Sequence, residues 1–203
     1  MLIFLINGME WILASASPLR KELLADLIEK FEIIPAKGEE EGGDLPPEAL
    51  VKALAAQKAT EVSAQAQARG KAVLGADTIV VLDNEVLGKP RDEADAKRML
   101  SALSGRTHKV YTGVCIRLVT ERGVKEWLDI ACTEVVFETL TKAQIDKYVA
   151  TGSPMDKAGA YGIQDGGLVK EIKGSYSNVV GLPTELCKEL IAAVLRYAEG
   201  GML

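Results

Sequence analysis

Two cations and one carboxylate stand where the sequence pattern calls for apolar side chains, and they define the chemistry to look for. In "WILASASPLRKELL", residues 11–24, a short apolar strand leads through a small polar turn into a helix. At 100° per residue Leu23, Leu24, Leu27, Ile28 and Phe31 make one apolar stripe, and Arg20 falls near its centre. An unpaired guanidinium is costly to bury, so an arginine at the head of a core-facing stripe points to an anion that meets it. The same turn suits an anion. Ser17 is a candidate N-cap and Pro18 fits the first helical position, which leaves backbone N–H groups at the positive end of the helix dipole, beside Ser15 and Lys21. An ordinary capped helix with an arginine snorkelling to water is the plain alternative.

A second helix, 47–69, repeats the pattern: Leu50, Val51, Leu54 and Val62 define its stripe, and Lys58 lies near the centre. A lysine in mid-helix has less freedom to reach water than one at an end. Two inward cations on different helices suggest a shared polyanion. Asp77 interrupts the apolar strand "VLGADTIVV"; a carboxylate there must be paired, metal-bound or catalytic, because desolvation otherwise neutralises it. With Asp83-Asn84 closing a hairpin, Lys89 falls opposite Thr78. Strict alternation then puts Asp77 and Lys89 on opposite faces unless a bulge at Gly75 or Gly88 intervenes.

The run Glu39, Glu40, Glu41 reads most simply as a solvated charge run, although one of the three could ligate a hard cation. Mg²⁺ or Mn²⁺ is expected because cleaving a phosphoanhydride needs charge neutralised, and Asp77 plus a loop glutamate would suffice as oxygen donors. In "SPMDKAGAYGIQDGG" the glycines permit close backbone approach to a ligand, Lys157 adds a cation, and Gln164 offers a donor and an acceptor that could read a base edge; any tight turn uses glycine too. "GSYSNVVGLP" is either a capping turn or a place where Ser175 or Asn178 meets a ligand.

The elements that must position these groups alternate. The stretch 71–90 reads as two strands, 91–105 as a helix with Asp92 as N-cap and Gly105 as its stop, and 107–140 as an antiparallel meander. A helix over 141–150, a glycine-rich loop, a short strand "LVKEIKG" and a closing helix follow. Strands interspersed with helices and hairpins predict an α/β protein with a mixed sheet. The only linker-like stretch, 37–48, reads as a surface loop. At 203 residues and 48% hydrophobic content the chain suits one domain of ordinary size, 1–203, or two small lobes.

Composition removes whole classes of function. A formal charge of −5 argues against a nucleic-acid or anionic-membrane surface. One histidine, His108, leaves no room for Ser-His-Asp hydrolysis or a multi-histidine zinc site. Cys115, Cys132 and Cys187 have neither metal-ligand spacing nor the parity of a disulfide framework, which points to a reducing cytoplasm. "MLIFLING" is too short for a membrane span and lacks the basic flank of a signal peptide. Residues 1–8 read either as an upstream mis-start, with Met9 the natural first residue, or as an extra edge strand.

Taken in order, "LASASPLRKELL", "GADTIVVLDNEVLGKPRD", "LSGRTHKVYTGV", "DKAGAYGIQ" and "GSYSNVVGLP" resemble the Maf family of nucleotide pyrophosphatases, from about Trp11 to the last helix. The resemblance implies the inosine-triphosphate-pyrophosphatase-like fold, an elongated mixed sheet flanked by helices in two lobes around a central cleft. It implies hydrolysis of nucleoside triphosphates to monophosphate and pyrophosphate, a divalent metal, and a homodimer. Residue by residue it makes Ser15, Arg20, Lys58 and Lys89 the phosphate-binding group, Asp77 the proton acceptor and Glu40 the metal-linked glutamate. The branch similar to dTTP/UTP pyrophosphatases carries an arginine directly after Pro18, a threonine after the aspartate and a glutamine at 164. This chain keeps Thr78 and Gln164 but has Leu19, where the branch similar to 7-methyl-GTP pyrophosphatases carries a bulky aromatic. Two of the three markers favour dTTP and UTP, with modified pyrimidine nucleotides included; a 7-methyl-GTP or broad-specificity enzyme is the alternative. From other classes, a nucleotide-binding regulator of cell division would not need the inward carboxylate, and a kinase is disfavoured by the lack of G-x-x-x-x-G-K-[ST].

Overall fold

A computed structural model describes residues 8–39 and 43–200. The question of a mis-start falls largely on residues outside that range, as does the assignment of Glu40. Seven strands form one mixed sheet: β1 (Glu10–Leu13), β2 (Glu32–Ile33), β3 (Lys71–Leu82), β4 (Glu85–Leu87), β5 (Thr107–Thr120), β6 (Gly123–Phe137) and β7 (Val169–Lys173). The order is β2-β1-β3-β5-β6-β7, with β4 paired to β3. Strand β1 runs parallel to β2 and β3, whereas β3–β4 and β6–β7 are antiparallel. The helices are α1 (Pro18–Ala25), α2 (Pro47–Ser63), α3 (Glu93–Leu103), α4 (Lys142–Val149), α5 (Tyr176–Val180) and α6 (Thr184–Gly200). The α/β class with a mixed sheet is as expected.

The chain divides into two compact units, each with its own core. The first comprises Met1–Asp77, Thr112–Ala131 and Gly181–Leu203. There the sheet is a middle layer, because strand alternation sends Trp11, Leu13 and Leu74 to one face and Ile12, Ala14 and Val73 to the other. The first face packs on Leu24 of α1 and on Cys187, Ile191 and Val194 of α6; the second packs on Val62 of α2. The second unit comprises Thr78–Tyr111 and Cys132–Val180. Val80, Leu82, Val110, Val135 and Phe137 of its strands bury against Met99, Leu100 and Leu103 of α3 and Ile145 and Val149 of α4.

Local signals explain most boundaries. Ser17 caps α1 by accepting from the Arg20 N–H at 3.4 Å, with Pro18 in the first turn. Asp92 caps α3 through the Asp95 N–H at 2.8 Å, and Thr141 and Gln144 close a capping box on α4. Asp83 and Asn84 both have positive φ, 51° and 67°, as a two-residue primed turn requires. The apolar stripe starting at Leu23 outlasts its helix: α1 stops at Ala25, and Leu27 and Ile28 are buried from the turn that follows rather than from a helical face. Likewise α2 ends at Ser63, short of 69, and its last stretch becomes a separate turn at Ala66–Ala68. The segment over Ser175 and Asn178, expected as a cap or ligand loop, contains the short helix α5.

Candidate active site

The buried carboxylate is placed by close packing of a helix on a strand. A Cβ at Gly75 would lie 2.7 Å from both the Ala55 carbonyl oxygen and the Ala59 nitrogen, so α2 rests directly on the backbone of β3. Two residues further along the same face comes Asp77, 6% exposed, and one residue before Ala59 comes Lys58. The Lys58 ammonium accordingly donates to Asp77 Oδ1 in a short ion pair. Among the described residues Asp77 Oδ2 has no hydrogen-bond partner. The inward lysine of the sequence pattern is real, and a carboxylate faces it. Gly75 serves this approach, not a bulge.

Arg20 is held in the same unit. Its Nε donates to the Gly181 carbonyl at 2.8 Å, its Nη1 to Ser15 Oγ at 3.4 Å, and Ser15 Oγ also accepts from the Ser17 N–H at 3.2 Å. The guanidinium is half-buried, and its carbonyl partner, Gly181, lies 161 residues away, beyond the reach of any local pattern. Leu19, its neighbour on α1, is also half-buried. Ser15 is buried, whereas Lys21 points to solvent.

The second unit carries the remaining candidates. The β3–β4 register runs Val80↔Leu87, Val81↔Val86 and Leu82↔Glu85, the alignment expected from the turn. The ladder stops at Leu87, so Lys89 is an exposed residue beyond the strand and alternation no longer dictates its side. The Lys89 charge helps the Lys157 ammonium, the larger influence, to hold the Asp156 carboxyl below its ordinary range. Thr78 is half-buried on β3. Gln164 is exposed in a short helical turn, Ile163–Asp165, and among the described residues its carboxamide has no hydrogen-bond partner. Of the two readings of the segment over Ser175 and Asn178, the cap is what the geometry shows: the Asn178 side chain is fully buried, with Nδ2 donating to the Val110 carbonyl and to Thr133 Oγ1, both at 3.0 Å, and it braces two strands. Ser175 Oγ caps the same helix by accepting from the Asn178 N–H at 3.2 Å. The buried thiols of Cys115 and Cys187 are pushed up to about 12, which leaves them inert.

The described residues hold no group of three His, Cys, Asp or Glu side chains able to cage a metal ion. A buried carboxylate with one oxygen uncommitted still fits Mg²⁺ or Mn²⁺, which are commonly held by one or two carboxylates and substrate phosphates. The first unit thus holds a buried acid paired with a lysine, and an arginine anchored on Gly181 and Ser15.

The Maf-like protein family model matches residues 10–194. The chain belongs to that family. A dTTP/UTP pyrophosphatase of Moorella thermoacetica is 53% identical, over 89% of this chain and 93% of that protein. Proteins of the same name from Thermococcus gammatolerans and Agathobacter rectalis are 49% and 47% identical, covering 88% and 85% of this chain and 94% and 91% of theirs. The Maf-like match spans both units, and with it Asp77, Lys58, Arg20, Lys89 and Gln164. No helix among the described residues is long and apolar enough to cross a membrane.

Proposed function

We propose that this Maf-like chain is a nucleoside triphosphate pyrophosphatase that converts dTTP and UTP to the monophosphate and pyrophosphate. The observation that carries this reading is the Lys58–Asp77 pair, a buried carboxylate facing a lysine ammonium, in a chain about half identical to dTTP/UTP pyrophosphatases. In this reading Asp77 accepts the proton of the water that attacks the α-phosphorus. Ser15, Arg20, Lys58 and Lys89 bind the phosphates, and Arg20 offers its fork already oriented by Gly181 and Ser15. Thr78 and Gln164 select the base, with Leu19 the departure that tests how much an arginine there contributes.

Asp77, with Glu40 as its partner outside the described residues, would hold the divalent ion, Mg²⁺ or Mn²⁺. Such an ion supplies neutralisation of charge on the departing pyrophosphate. Cys115, Cys132 and Cys187 are not joined in disulfides, which suits a cytoplasmic location. The homodimer, and the absence of nucleic-acid and membrane partners, belong to the same proposal.

The test is pyrophosphate release from dTTP, UTP, CTP, ATP, GTP and 7-methyl-GTP with Mg²⁺ or Mn²⁺, alongside an Asp77→Ala control. The expected result is preference for dTTP and UTP, lost in the control by a factor on the order of 10³. Turnover that survives Asp77→Ala would remove the base. A preference for 7-methyl-GTP would mean that Leu19 outweighs Thr78 and Gln164.

A further inference from the structure

Gln164 sits in the middle of a three-residue turn, and a single hydroxyl holds both ends of that turn. The Tyr148 phenol accepts from the Gly162 N–H at 3.0 Å and donates to Asp165 Oδ2 at 2.6 Å. Ser153 Oγ donates to the same carboxylate oxygen at 2.7 Å, and the Asp165 N–H closes the turn on the Gly162 carbonyl at 3.1 Å. Lys157 Nζ fixes the Ser153 end, donating to its carbonyl at 2.7 Å. All of these residues belong to the second unit. Over Gly162 the side chains converge. A Cβ there would lie 2.8 Å from Gln164 Nε2 and 2.9 Å from both Asp165 Oδ2 and Lys157 Cε. The Gln164 amide is thus folded back over the one residue whose missing side chain makes room for it.

The latch is built to stay closed. Burial, reinforced by the bond to Asp165, pushes the Tyr148 phenol up to about 12, so it remains a donor at any physiological pH. The turn itself is exposed and, of its three residues, only Ile163 packs on the core. Without the phenol the turn keeps its Asp165–Gly162 bond, the Ser153 bond and the packing of Ile163, but loses the one group that joins Gly162 to the Asp165 side chain. We infer that Tyr148, Asp165 and Ser153 are positioning residues for base selection, setting the carboxamide of Gln164 through the two-ended hydroxyl clamp on its turn. The inference rests on the proposal that Gln164 reads the base.

The experiment compares kcat and KM for dTTP, UTP, CTP and GTP across the full chain and five variants: Gln164→Ala, Tyr148→Phe, Asp165→Ala, Asp165→Asn and the double variant Tyr148→Phe/Gln164→Ala. Tyr148→Phe should lower the kcat/KM ratio of dTTP over GTP by about tenfold, the worth of the two hydrogen bonds lost with the hydroxyl, through KM and with kcat held. Asp165→Ala should behave alike, and Asp165→Asn, which keeps an acceptor oxygen for the phenol, should recover most of the ratio. Because the latch acts only through the glutamine, the double variant should lose no more than Gln164→Ala alone. If Gln164→Ala loses selectivity but Tyr148→Phe keeps it, the latch is overturned while the reading of Gln164 stands. Equal losses of kcat on every nucleotide in Tyr148→Phe, with a lowered melting temperature, would assign the phenol to stability instead and also overturn it. Selectivity retained by Gln164→Ala itself would remove the glutamine from base reading, and the latch with it.

Discussion

The two units fix their functional groups by opposite means. In the first, Lys58 and Asp77 ride on a helix and a strand whose backbones touch at Gly75, and Arg20 is tied to a main-chain carbonyl; interior packing decides where the charges stand. In the second, Gln164 stands on an exposed turn held by a phenol, a hydroxyl and a carboxylate. On the proposed function, the difference follows from what each would recognise. Phosphates are common to every nucleotide, so Ser15, Arg20 and Lys58 would gain from rigid elements and lose nothing by being hard to change, while Lys89, also assigned to the phosphates, stands in the second unit beyond the end of β4. A base must be told from other bases, and a surface turn can be retuned by one side chain without disturbing a core.

The largest test of this contrast lies beneath the turn, because the second unit also has a rigid part. His108 is 2% exposed, shares a 2.8 Å hydrogen bond with the Tyr161 hydroxyl, and meets the rings of Phe137 and Tyr161 edge-on at 5.3 and 5.4 Å. Tyr161 directly precedes Gly162. Burial lowers the histidine from its ordinary 6.5 to about 4. Between those values the unfolded chain binds a proton that the folded chain refuses, so the contribution to stability is complete above pH 6.5 and is lost as pH falls toward 4. The loss should reach about 3 kcal/mol at the acid end, an order-of-magnitude figure. Melting temperatures from pH 7 to 4 for the wild type and His108→Phe should show a shallower slope in the variant. Equal slopes would mean that the ring beneath the turn is not held neutral.

A glycine from each unit sharpens the comparison further. Gly75→Ala forces a Cβ to within 2.7 Å of two main-chain atoms of α2, which cannot rotate aside, and should cost about 2 kcal/mol. Because Lys58 is carried between Ala55 and Ala59, turnover should fall with stability. Gly162→Ala meets only the ends of flexible side chains. It should leave the melting temperature nearly unchanged and lower selectivity for dTTP by displacing the Gln164 amide. Denaturation and kinetics on the two variants decide it; matched losses of stability would erase the distinction between the units.

How far the sequence was legible follows the same division. Arg20, Lys58 and Asp77 were readable because a charge on an apolar stripe or strand violates a periodicity that packing imposes. The hairpin register was readable from Asp83-Asn84, since that turn type fixes the alignment; where the ladder ends was not, and Lys89 therefore escaped alternation. What stayed hidden were contacts between residues far apart in the chain: the Gly181 carbonyl on Arg20, and the backbone contact that Gly75 permits. The stripe from Leu23 to Phe31 misled about helix length because buried residues just past a helix end keep their apolar character while leaving its geometry. The latch had no sequence signal at all. Tyr148 is one half-buried residue of α4, and Ser153 and Asp165 are ordinary polar turn residues, until the fold brings them to one oxygen atom.

Leu19 gives the smallest and most selective test, because it lies in the rigid unit yet is proposed to bear on the base. Its branch-marking counterpart is an arginine, whereas here an aliphatic side chain occupies the second position of α1, next to the anchored Arg20. If base selection lies with the turn alone, Leu19→Arg should leave the kcat/KM ratio of dTTP over GTP as it is. If the first unit also contributes, the added guanidinium should raise that ratio by about threefold, below the full worth of a charged hydrogen bond because the site is only half-buried. The cation would stand at the positive end of the α1 dipole, so about 0.5 kcal/mol of stability should be lost at the same time. A rise in the ratio with a small fall in melting temperature is the expected outcome, and it would show that the rigid unit, too, has a position where specificity can be adjusted. An unchanged ratio would confine base selection to Thr78 and Gln164 and make the division between the units complete.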